Sequence, residues 1–367
     1  MIGLETDAAV FDNYLVSLGC KIEDSREGKI VKTPGNPADE LNSIYKGTAL
    51  VLMPNTSVLE LRGNDVLDFL HRISTNSIKD LAKERVKNTI FTTEKGRIID
   101  TALVMNLGDT QLLISSCVHK LKVIRWLEKY IIADDVRVSD TNGRYIVMEM
   151  MGPQTGSFIT MIGGDSLTSI EENGFKLINS EGIMFFLIKL KEKDDNIKYR
   201  IVADRNNAVG LIKYMIDHKG PFDFNLVGAD AYEAYRIAQG IPSAPSELND
   251  SINPHEAGLL DMVSFTKGCY IGQEVIARLD SYDKVQKFLK GIEFIDGANG
   301  DINYSLFDES GLEAGSVTSA VYSARLKKHV GLAYVRKHYA EKGRTLTARN
   351  DNGAELKVSV ENLPLKK

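Results

Sequence analysis

Two patterns of hydrophobic residues alternate along the first 280 residues of the chain: short apolar runs, and apolar residues three or four positions apart. Short apolar runs predict strands, and apolar residues spaced by three or four positions predict amphipathic helices. The helix predicted over 118–132 shows the second pattern, because Leu121, Ile124 and Leu127 form one stripe. The strands predicted here are 48–53, 57–61, 101–106, 111–115, 145–150, 184–190 and 199–203. The other predicted helices are an opening helix, one capped by Asn64 or Asp65, 206–218 and 229–239.

The order of these elements predicts the fold class. Strands and helices mix without a strict β-α-β rhythm, which favours an α+β fold over a doubly wound parallel sheet. Residues 24–47 are polar and rich in Gly and Pro, and they predict turns and loop. Beyond residue 285 the pattern changes to short strands at 290–294, 316–321, 330–335, 345–348 and 356–360. We therefore predict an α+β region over 1–284 and a small C-terminal β-barrel domain over 285–367.

Composition excludes several classes of function. The chain has 367 residues and a formal net charge of -5, which argues against a general nucleic-acid binder. No run of about 18 apolar residues occurs and the N-terminus lacks a secretory pattern, so we expect neither a membrane span nor a signal peptide. Cys20, Cys117 and Cys269 are widely spaced and form no metal-ligand pattern. This cysteine usage is typical of a reducing compartment, and we expect a cytoplasmic protein without a metal site.

The most unusual segment of the sequence is 264–278. Gly268 and Gly272 bracket Cys269, and glycine allows left-handed backbone or close approach of a ligand. Lys267 could favour the thiolate of Cys269 and so raise its reactivity. Gln273, Glu274 and Arg278 add donors, acceptors and both charges. The functional interpretation is a loop that presents a reactive thiol; the alternative is a glycine-rich turn with a buried cysteine.

Three further positions are candidates for chemistry. Asp100 follows the basic turn 93–97 at the start of a strand, where a carboxylate can bind a heterocycle or move a proton; the alternative is a solvated turn acid. Arg236 lies among apolar helix positions and suits a ligand carboxylate, or else pairs with an internal acid. His255 could form a Cys/His pair with the thiol, or lie in a surface loop.

Together these segments resemble the YgfZ branch of the T-protein superfamily. The signature of that branch, K-G-C-[FY]-x-G-Q-E followed by Arg, is matched by residues 267–274 with Arg278. Segments 67–76, 95–100, 236–242, 254–257 and 329–335 are similar to other parts of the family. The resemblance implies domains arranged as a ring around a central channel for tetrahydrofolate. Residues 1–284 would then be a folate-binding region of two interleaved α+β subdomains, followed by the small C-terminal β-barrel domain.

The resemblance also implies roles for single residues. Cys269 would provide a thiol for iron–sulfur, sulfur or redox chemistry, with iron–sulfur client or assembly proteins as partners. Asp100 would be the second catalytic residue, since it lies where the T-protein has the first of two Asp residues; the second position here is Thr101. The residues implied to bind the folate cofactor are Arg236, Lys267, Tyr270, Gln273, Glu274 and Arg278.

One departure from the family separates the possible functions. The T-protein motif T-G-E-x-G-Y-E, whose Glu grips the pterin, is missing, and Arg200 stands where a Glu would be. This departure weakens aminomethyl transfer more than folate binding. The first hypothesis is therefore a tetrahydrofolate-binding accessory protein for maturation or repair of iron–sulfur proteins. The alternatives are a tetrahydrofolate-dependent aminomethyl or one-carbon transferase and a non-catalytic folate sensor.

Overall fold

The structure is a computed structural model of the chain. It describes residues 2–366, except 26–27, 54–55, 117–119, 142, 165–166, 168, 192–196, 282–283 and 298–303. Cys117, the first residues of the helix predicted over 118–132 and most of the charged turn between the strands predicted at 184–190 and 199–203 therefore lie outside the described residues.

The helices fall mainly in the first 240 residues. They are α1 Ile2–Ser17, α2 Pro37–Lys46, α3 Val66–Ile73, α4 Lys120–Tyr130, α5 Thr155–Gly163, α6 Arg205–Asp217, α7 Ala229–Gln239 and α8 Gln273–Ser281. Among the described residues, no helix is both long enough and apolar enough to cross a membrane.

The strands run through the whole chain. Those before residue 230 are β1 Lys21–Ser25, β2 Gly28–Lys32, β3 Thr48–Leu52, β4 Ser57–Arg62, β5 Arg85–Thr92, β6 Ile98–Asn106, β7 Thr110–Ser115, β8 Arg137–Asp140, β9 Tyr145–Met151, β10 Gly174–Ser180, β11 Ile183–Lys191, β12 Ile197–Asp204 and β13 Phe224–Val227. The remaining strands are β14 Lys287–Phe294, β15 Tyr304–Phe307, β16 Glu313–Ser323, β17 Lys328–Arg336, β18 Thr345–Asn350 and β19 Glu355–Glu361.

The contacts divide the chain into two compact units. Unit 1 consists of residues 1–71, 77–88 and 102–232, and unit 2 consists of residues 72–76, 89–101 and 233–367. The units interleave along the chain. The domain boundary that the sequence predicts at 284/285 stays a prediction, although the barrel strands begin nearby at Lys287.

Unit 1 is built on an 11-stranded sheet with the order β13-β3-β9-β12-β11-β10-β5-β6-β7-β4-β8. Adjacent side chains of β9 point to opposite faces, as they must in a strand. Met148 and Met150 pack with residues of α1, α5 and α6 in one core, where the Phe158 ring stacks 5.0 Å from that of Phe224. Val147 packs on the other face with residues of β4–β7 and β10–β12. The sheet therefore supports two separate cores.

Unit 2 contains a closed β-barrel with the strand order β14-β17-β16-β15-β18-β19. Its interior holds Ile292, Leu306, Val335 and Val358, all fully buried. A second core of this unit joins β5 and β6 residues to the segment after α7, with Ile90, Ile98, Ile252, Tyr270 and Ile276 among its members. The predicted α+β class with a C-terminal barrel is confirmed.

Most predicted elements are present, with ends that differ by a few residues. The hairpin predicted from the strands at 101–106 and 111–115 is confirmed, with Asn106 opposite Gln111. The loop predicted over 24–47 is wrong over most of its length, because the β1–β2 hairpin reaches Lys32 and α2 occupies Pro37–Lys46. Asn36 caps that helix by accepting a hydrogen bond of 3.0 Å from the Ala38 N–H. Asn-Pro is a turn signal, but it also fits an N-cap followed by Pro at the first helical position.

The predictions also missed elements. They left out β1, β2, β5, β8, β10, β13, β15 and α5, and the segment predicted as a thiol-presenting loop ends in α8. Three apolar residues, Ile90, Phe91 and Val86, are buried in β5, but the polar stretch Lys87-Asn88-Thr89 interrupts the strand pattern. Pairing with neighbouring strands, which a local pattern does not contain, stabilises such a strand.

Candidate functional site

The candidate site is built on a tight turn in unit 2. The Thr93 N–H donates to the Arg97 carbonyl and the Gly96 N–H to the Thr93 carbonyl, both at 2.8 Å. Gly96 has φ +67°, a conformation that glycine adopts without strain. The Arg97 guanidinium donates to the buried Glu256 carboxylate at 3.1 Å and to the Ser251 carbonyl at 2.8 Å. These bonds fix the turn 93–97 to the segment before the cysteine motif.

The turn also supports the motif itself through a second glycine. Gly272 has φ +83°, and a Cβ there would lie 2.6 Å from the Thr93 carbonyl oxygen and 3.1 Å from Gly96 Cα. The Thr92 hydroxyl donates to the Ile271 carbonyl at 2.7 Å. Only a residue without a side chain fits this contact, so the fold requires the second glycine of the motif.

Lys267 is turned towards the backbone. Its ammonium donates to the carbonyls of Ser74 and Asn76 at 2.7 and 2.9 Å, and lies 4.9 Å from the centre of the Tyr270 ring. Burial lowers the pKa of Lys267 to about 8. These contacts give the lysine a structural role that the sequence did not predict. Its two predicted roles, to favour the Cys269 thiolate and to bind the folate cofactor, stay predictions.

Tyr270 is part of the second core of unit 2, where its side chain is 8% exposed. Burial raises the pKa of its phenol to about 12, so the hydroxyl stays protonated at neutral pH. The ring fills space beside Ile90 and Ile276. Packing in this core therefore accounts for the presence of Tyr270 in the motif. Its predicted role in binding the cofactor stays a prediction.

Four residues of the segment 267–278 are exposed. Cys269 is an exposed free cysteine, and Gly268 beside it is exposed as well. A Cβ on Gly268 would have no heavy atom within 4 Å. Glu274 and Arg278, one helical turn apart on α8, are also exposed. We call the group of Gly268, Cys269, Glu274 and Arg278 the thiol surface.

Gln273 lies at the start of α8, next to the thiol surface, and is half-buried. Its N–H donates to the Tyr270 carbonyl at 3.2 Å, which closes the turn into the helix. Among the described residues, Glu274 and Arg278 enter no ion pair. The motif thus divides into residues that hold the fold and residues that present a thiol between polar side chains.

The two predicted catalytic residues have different environments. Asp100, in β6, is 2% exposed, whereas Cys269 is exposed. A buried carboxylate accepts hydrogen bonds strongly because it has lost its water. Asp100 therefore has the chemistry of a group that binds N–H donors, and Cys269 has the accessibility of a group that meets a partner. Both predicted roles stay predictions.

Arg236 is surrounded by acceptors of its own unit. Its Nε donates to Glu233 at 2.6 Å, and Nη2 donates to Glu233 and, at 2.8 Å, to the Ser319 hydroxyl. Its Nη1 donates to the Glu247 carboxylate at 3.0 Å and to the Ile241 carbonyl at 3.2 Å. All five N–H donors of the guanidinium are thereby used. The predicted cofactor role of Arg236 would require a ligand to displace one of these partners.

Two residues near these positions, Glu247 and His255, make buried contacts that the sequence did not predict. Glu247 is fully buried and accepts hydrogen bonds from Arg236 and from the Ser319 hydroxyl at 2.7 Å. His255 is 8% exposed, so its interpretation as a surface-loop histidine is wrong. Its Nε2 lies 2.9 Å from the Ile276 carbonyl and, as the donor, ties the segment before the motif to α8.

Unit 1 contains Arg200, the residue compared above with a glutamate of the family. Arg200 on β12 lies opposite Glu149 on β9 and donates to its carboxylate from Nε at 3.0 Å. Lys198 lies 3.3 Å from the other carboxylate oxygen. Burial by itself raises the pKa of Glu149, but the two cations outweigh it and lower the pKa to about 2. The charge of Arg200 is thus neutralised by a buried acid on the neighbouring strand of the sheet.

The described residues contain no group of three or more His, Cys, Asp or Glu side chains that could hold a metal ion. A single thiolate is a weak basis for a resident metal site, because structural sites usually have four ligands. The chemistry that the site itself offers is therefore that of a thiol and a buried carboxylate.

Comparisons with known proteins match both parts of the chain. Residues 35–267 match the GCVT N-terminal domain, and residues 289–367 match the glycine cleavage T-protein C-terminal barrel domain. A chloroplastic protein of Arabidopsis thaliana that carries the name of a transferase is 27% identical over 346 residues, covering 94% of this chain and 77% of its own length.

Bacterial relatives and a solved structure agree with this match. The aminomethyltransferase of a Geobacillus species is 26% identical, covering 91% of this chain and 90% of its own. The glycine cleavage system aminomethyltransferase T of Bartonella henselae has the same fold, with a TM-score of 0.82 at 16% identity and 95% coverage of each chain.

Proposed function

The chain belongs to the family defined by the GCVT N-terminal domain and the glycine cleavage T-protein C-terminal barrel domain, and from this membership we propose a specific function. The protein binds tetrahydrofolate and assists the maturation or repair of iron–sulfur proteins through the thiol of Cys269. It belongs to the YgfZ branch of the superfamily and works in the cytoplasm, where a thiol stays reduced.

The exposure of Cys269 is the observation that carries this proposal. Its neighbours Lys267, Tyr270 and Gly272 are all held by the fold, whereas the thiol itself faces solvent. A free cysteine is more often buried as a small apolar residue. Neighbours held in place by the fold and an accessible sulfur together support a thiol that reacts with, or binds to, a group of another molecule.

One thiol limits what the protein does with an iron–sulfur cluster. Clusters usually have four protein ligands, and the described residues offer no cluster of ligands around Cys269. A client or assembly protein therefore supplies the remaining ligands. This requirement supports an accessory role over a resident cluster.

The predicted site residues fit the pterin ring of a folate better than its carboxylates. The ring N–H groups of a pterin need a carboxylate acceptor, and the buried Asp100 has that chemistry. Arg236 does not fit as the partner of the folate carboxylates, because its five donors are used by Glu233, Glu247, Ile241 and Ser319. Asp100 is therefore the residue that we propose to hold the pterin, with Glu274 and Arg278 free for other contacts.

A one-carbon transferase is the second candidate. The names of several relatives and the buried Asp100, which can act as an acid or base near the folate amines, favour it. Against it stands the Glu149–Arg200 pair, which places a neutralised cation at the position of the family's glutamate. Such a pair offers no free carboxylate for a pterin, so the accessory role remains the main proposal.

Titration of the full chain with tetrahydrofolate by calorimetry tests both candidates. Binding with one site per chain supports them, and no measurable binding contradicts both. The variant Asp100→Asn should weaken binding by about tenfold or more, since it removes one charge-assisted hydrogen bond. Asp261→Asn, an exposed acid in the same unit, is the matched control.

A cellular test separates the two candidates. Cells that lack the protein are supplied with the wild type, Cys269→Ala or Cys20→Ala, and the activity of an iron–sulfur enzyme is measured. We expect Cys269→Ala to fail and Cys20→Ala to restore activity. Full restoration by Cys269→Ala would show that the thiol is dispensable. Release of a one-carbon unit from an aminomethylated carrier protein would support the transferase instead.

A further inference from the structure

Unit 1 contains a cavity of about 320 Å³ that none of the functions above uses. Its walls come from α1, from the β1–β2 hairpin, and from the ends of β3, β4, β8 and β9. α1 and the hairpin lie before residue 35, where the match to the GCVT N-terminal domain begins. The cavity is therefore framed partly by a segment that the family match leaves unassigned.

Half of the residues that line the cavity have apolar side chains. The apolar lining residues are Phe11, Leu15, Ile22, Val31, Leu52, Met53, Val58, Ile146 and Val147. Pockets that bind small molecules have volumes from about 300 Å³ upwards, with apolar walls and a few polar groups that set orientation. The size and the lining of this cavity both meet that description.

Arg205, the first residue of α6, provides the main polar group of the cavity. Its Nε donates to the Gly143 carbonyl at 2.9 Å, but within the described part of the chain no acceptor contacts its Nη1 or Nη2. The side chain is only half exposed. The four N–H donors of Nη1 and Nη2 are therefore available to an acceptor that enters the cavity.

The geometry beside Arg205 leaves room for such an acceptor. Gly143, with φ +70°, also lines the cavity, and a Cβ there would come within 3.0 Å of Arg205 Nη2. A residue without a side chain at this point keeps one side of the guanidinium clear. A planar fork of donors facing a cavity is suited to a carboxylate, which it binds through two parallel hydrogen bonds.

The other charges of the cavity limit the ligand to a single negative charge. Lys29 is already paired with Asp12 at 2.5 Å, and Asp140 adds a second carboxylate to the lining. The lining therefore has as many negative as positive groups before a ligand arrives. A second negative charge on the ligand would meet these carboxylates without a free cation.

We propose that this cavity binds a monoanionic amphiphile: a small carboxylic acid whose apolar or aromatic body contacts the walls and whose carboxylate accepts hydrogen bonds from Arg205. The proposal does not rest on the proposed function, because neither Asp100 nor any residue of the thiol surface lines this cavity. Arg205 is the residue that selects the charge of the ligand, and the apolar walls select its body.

Calorimetric titration of the full chain with 1-naphthaleneacetic acid and with its uncharged amide tests the proposal. We expect the acid to bind with one site per chain, and the amide to bind at least about tenfold more weakly because it lacks the charge. Equal affinity for acid and amide, or no binding of the acid at millimolar concentration, would overturn it.

Three variants locate the binding. Arg205→Gln should lose about tenfold or more in affinity for the acid and little for the amide. Arg137→Gln, which removes the same charge from an exposed position on β8, should change neither. Thr56→Phe puts a ring into the cavity lining and should abolish binding of both probes. Unchanged circular dichroism verifies the fold of each variant.

A competition experiment separates this site from a folate site. Tetrahydrofolate should leave the affinity for 1-naphthaleneacetic acid unchanged. Stoichiometric displacement of the acid by tetrahydrofolate would assign the cavity to folate and overturn the proposal of a separate site. Failure of tetrahydrofolate to bind at all would contradict the proposed function and leave the result for the acid intact.

Discussion

Gly96 and Gly272 lie back to back in unit 2, so that a Cβ added to Gly272 would come 3.1 Å from Gly96 Cα. Both have positive φ, +67° and +83°. The turn 93–97 and the cysteine motif thus approach each other through two residues without side chains. The turn supports the backbone on which Cys269 stands.

The two glycines of the motif should respond differently to alanine. Gly272→Ala should destabilise the protein by roughly 2–3 kcal/mol, because alanine is strained at this φ and its Cβ meets the Thr93 carbonyl. Gly268→Ala should stay within about 0.5 kcal/mol, since a Cβ there meets no neighbour. Urea unfolding of both variants measures the difference, and equal losses would contradict this account of the motif.

The thiol of Cys269 should be the more reactive of the two described cysteines. Cys20 is 3% exposed. Burial and, to a smaller extent, the nearby Glu40 carboxylate raise the pKa of its thiol. Thiolates react and buried thiols do not, so brief treatment with iodoacetamide should alkylate Cys269 at least about tenfold faster. Peptide mass spectrometry reads the two sites separately. Similar rates for both cysteines would show that Cys269 is not accessible in solution.

Arg236 should be essential to the stability of unit 2. Arg236→Ala leaves the fully buried Glu247 without its cation, which typically costs about 3–5 kcal/mol. Arg349→Ala breaks an exposed pair with Glu355 and should cost no more than about 1 kcal/mol. Chemical unfolding of both variants gives the comparison. If Arg236→Ala loses as little stability as Arg349→Ala, the hydrogen bonds between Arg236 and Glu247 are not formed in solution.

Lys267 should make stability depend on pH in the alkaline range. Its folded pKa of about 8 lies below the ordinary value of roughly 10.4, so the unfolded chain holds the proton over a wider range. Stability therefore rises with pH between these two values. The wild type should gain in melting temperature relative to Lys267→Met as the pH rises from 8 to 10.

Lys95→Met is the control for this experiment, because Lys95 lies exposed in the turn 93–97. Melting temperatures of the three proteins are compared at each pH, so that general alkaline destabilisation cancels. A difference between wild type and Lys267→Met that stays constant over the range would contradict burial of the lysine as the cause of its low pKa.

Local patterns predicted much of the fold. The hairpin of β6 and β7 and the helices α6 and α7 follow from periodicity and turn residues close together in sequence. The prediction was wrong where one signal serves two structures, as at Asn36, which begins a helix rather than a turn. It was incomplete at β5, whose polar residues become part of a strand through pairing with its neighbours.

The sequence by itself determined the family resemblance, the α+β class with a barrel, and the candidate residues around Cys269. Only the tertiary structure decided which of those residues serve the fold. Lys267 bonds to carbonyls more than 190 positions away, and Arg236 to a hydroxyl 83 positions away. Periodicity describes neighbours a few residues apart, whereas burial and hydrogen-bond partners are set by segments that meet only after folding. For that reason the exposed thiol and the saturated arginine could be distinguished only in three dimensions.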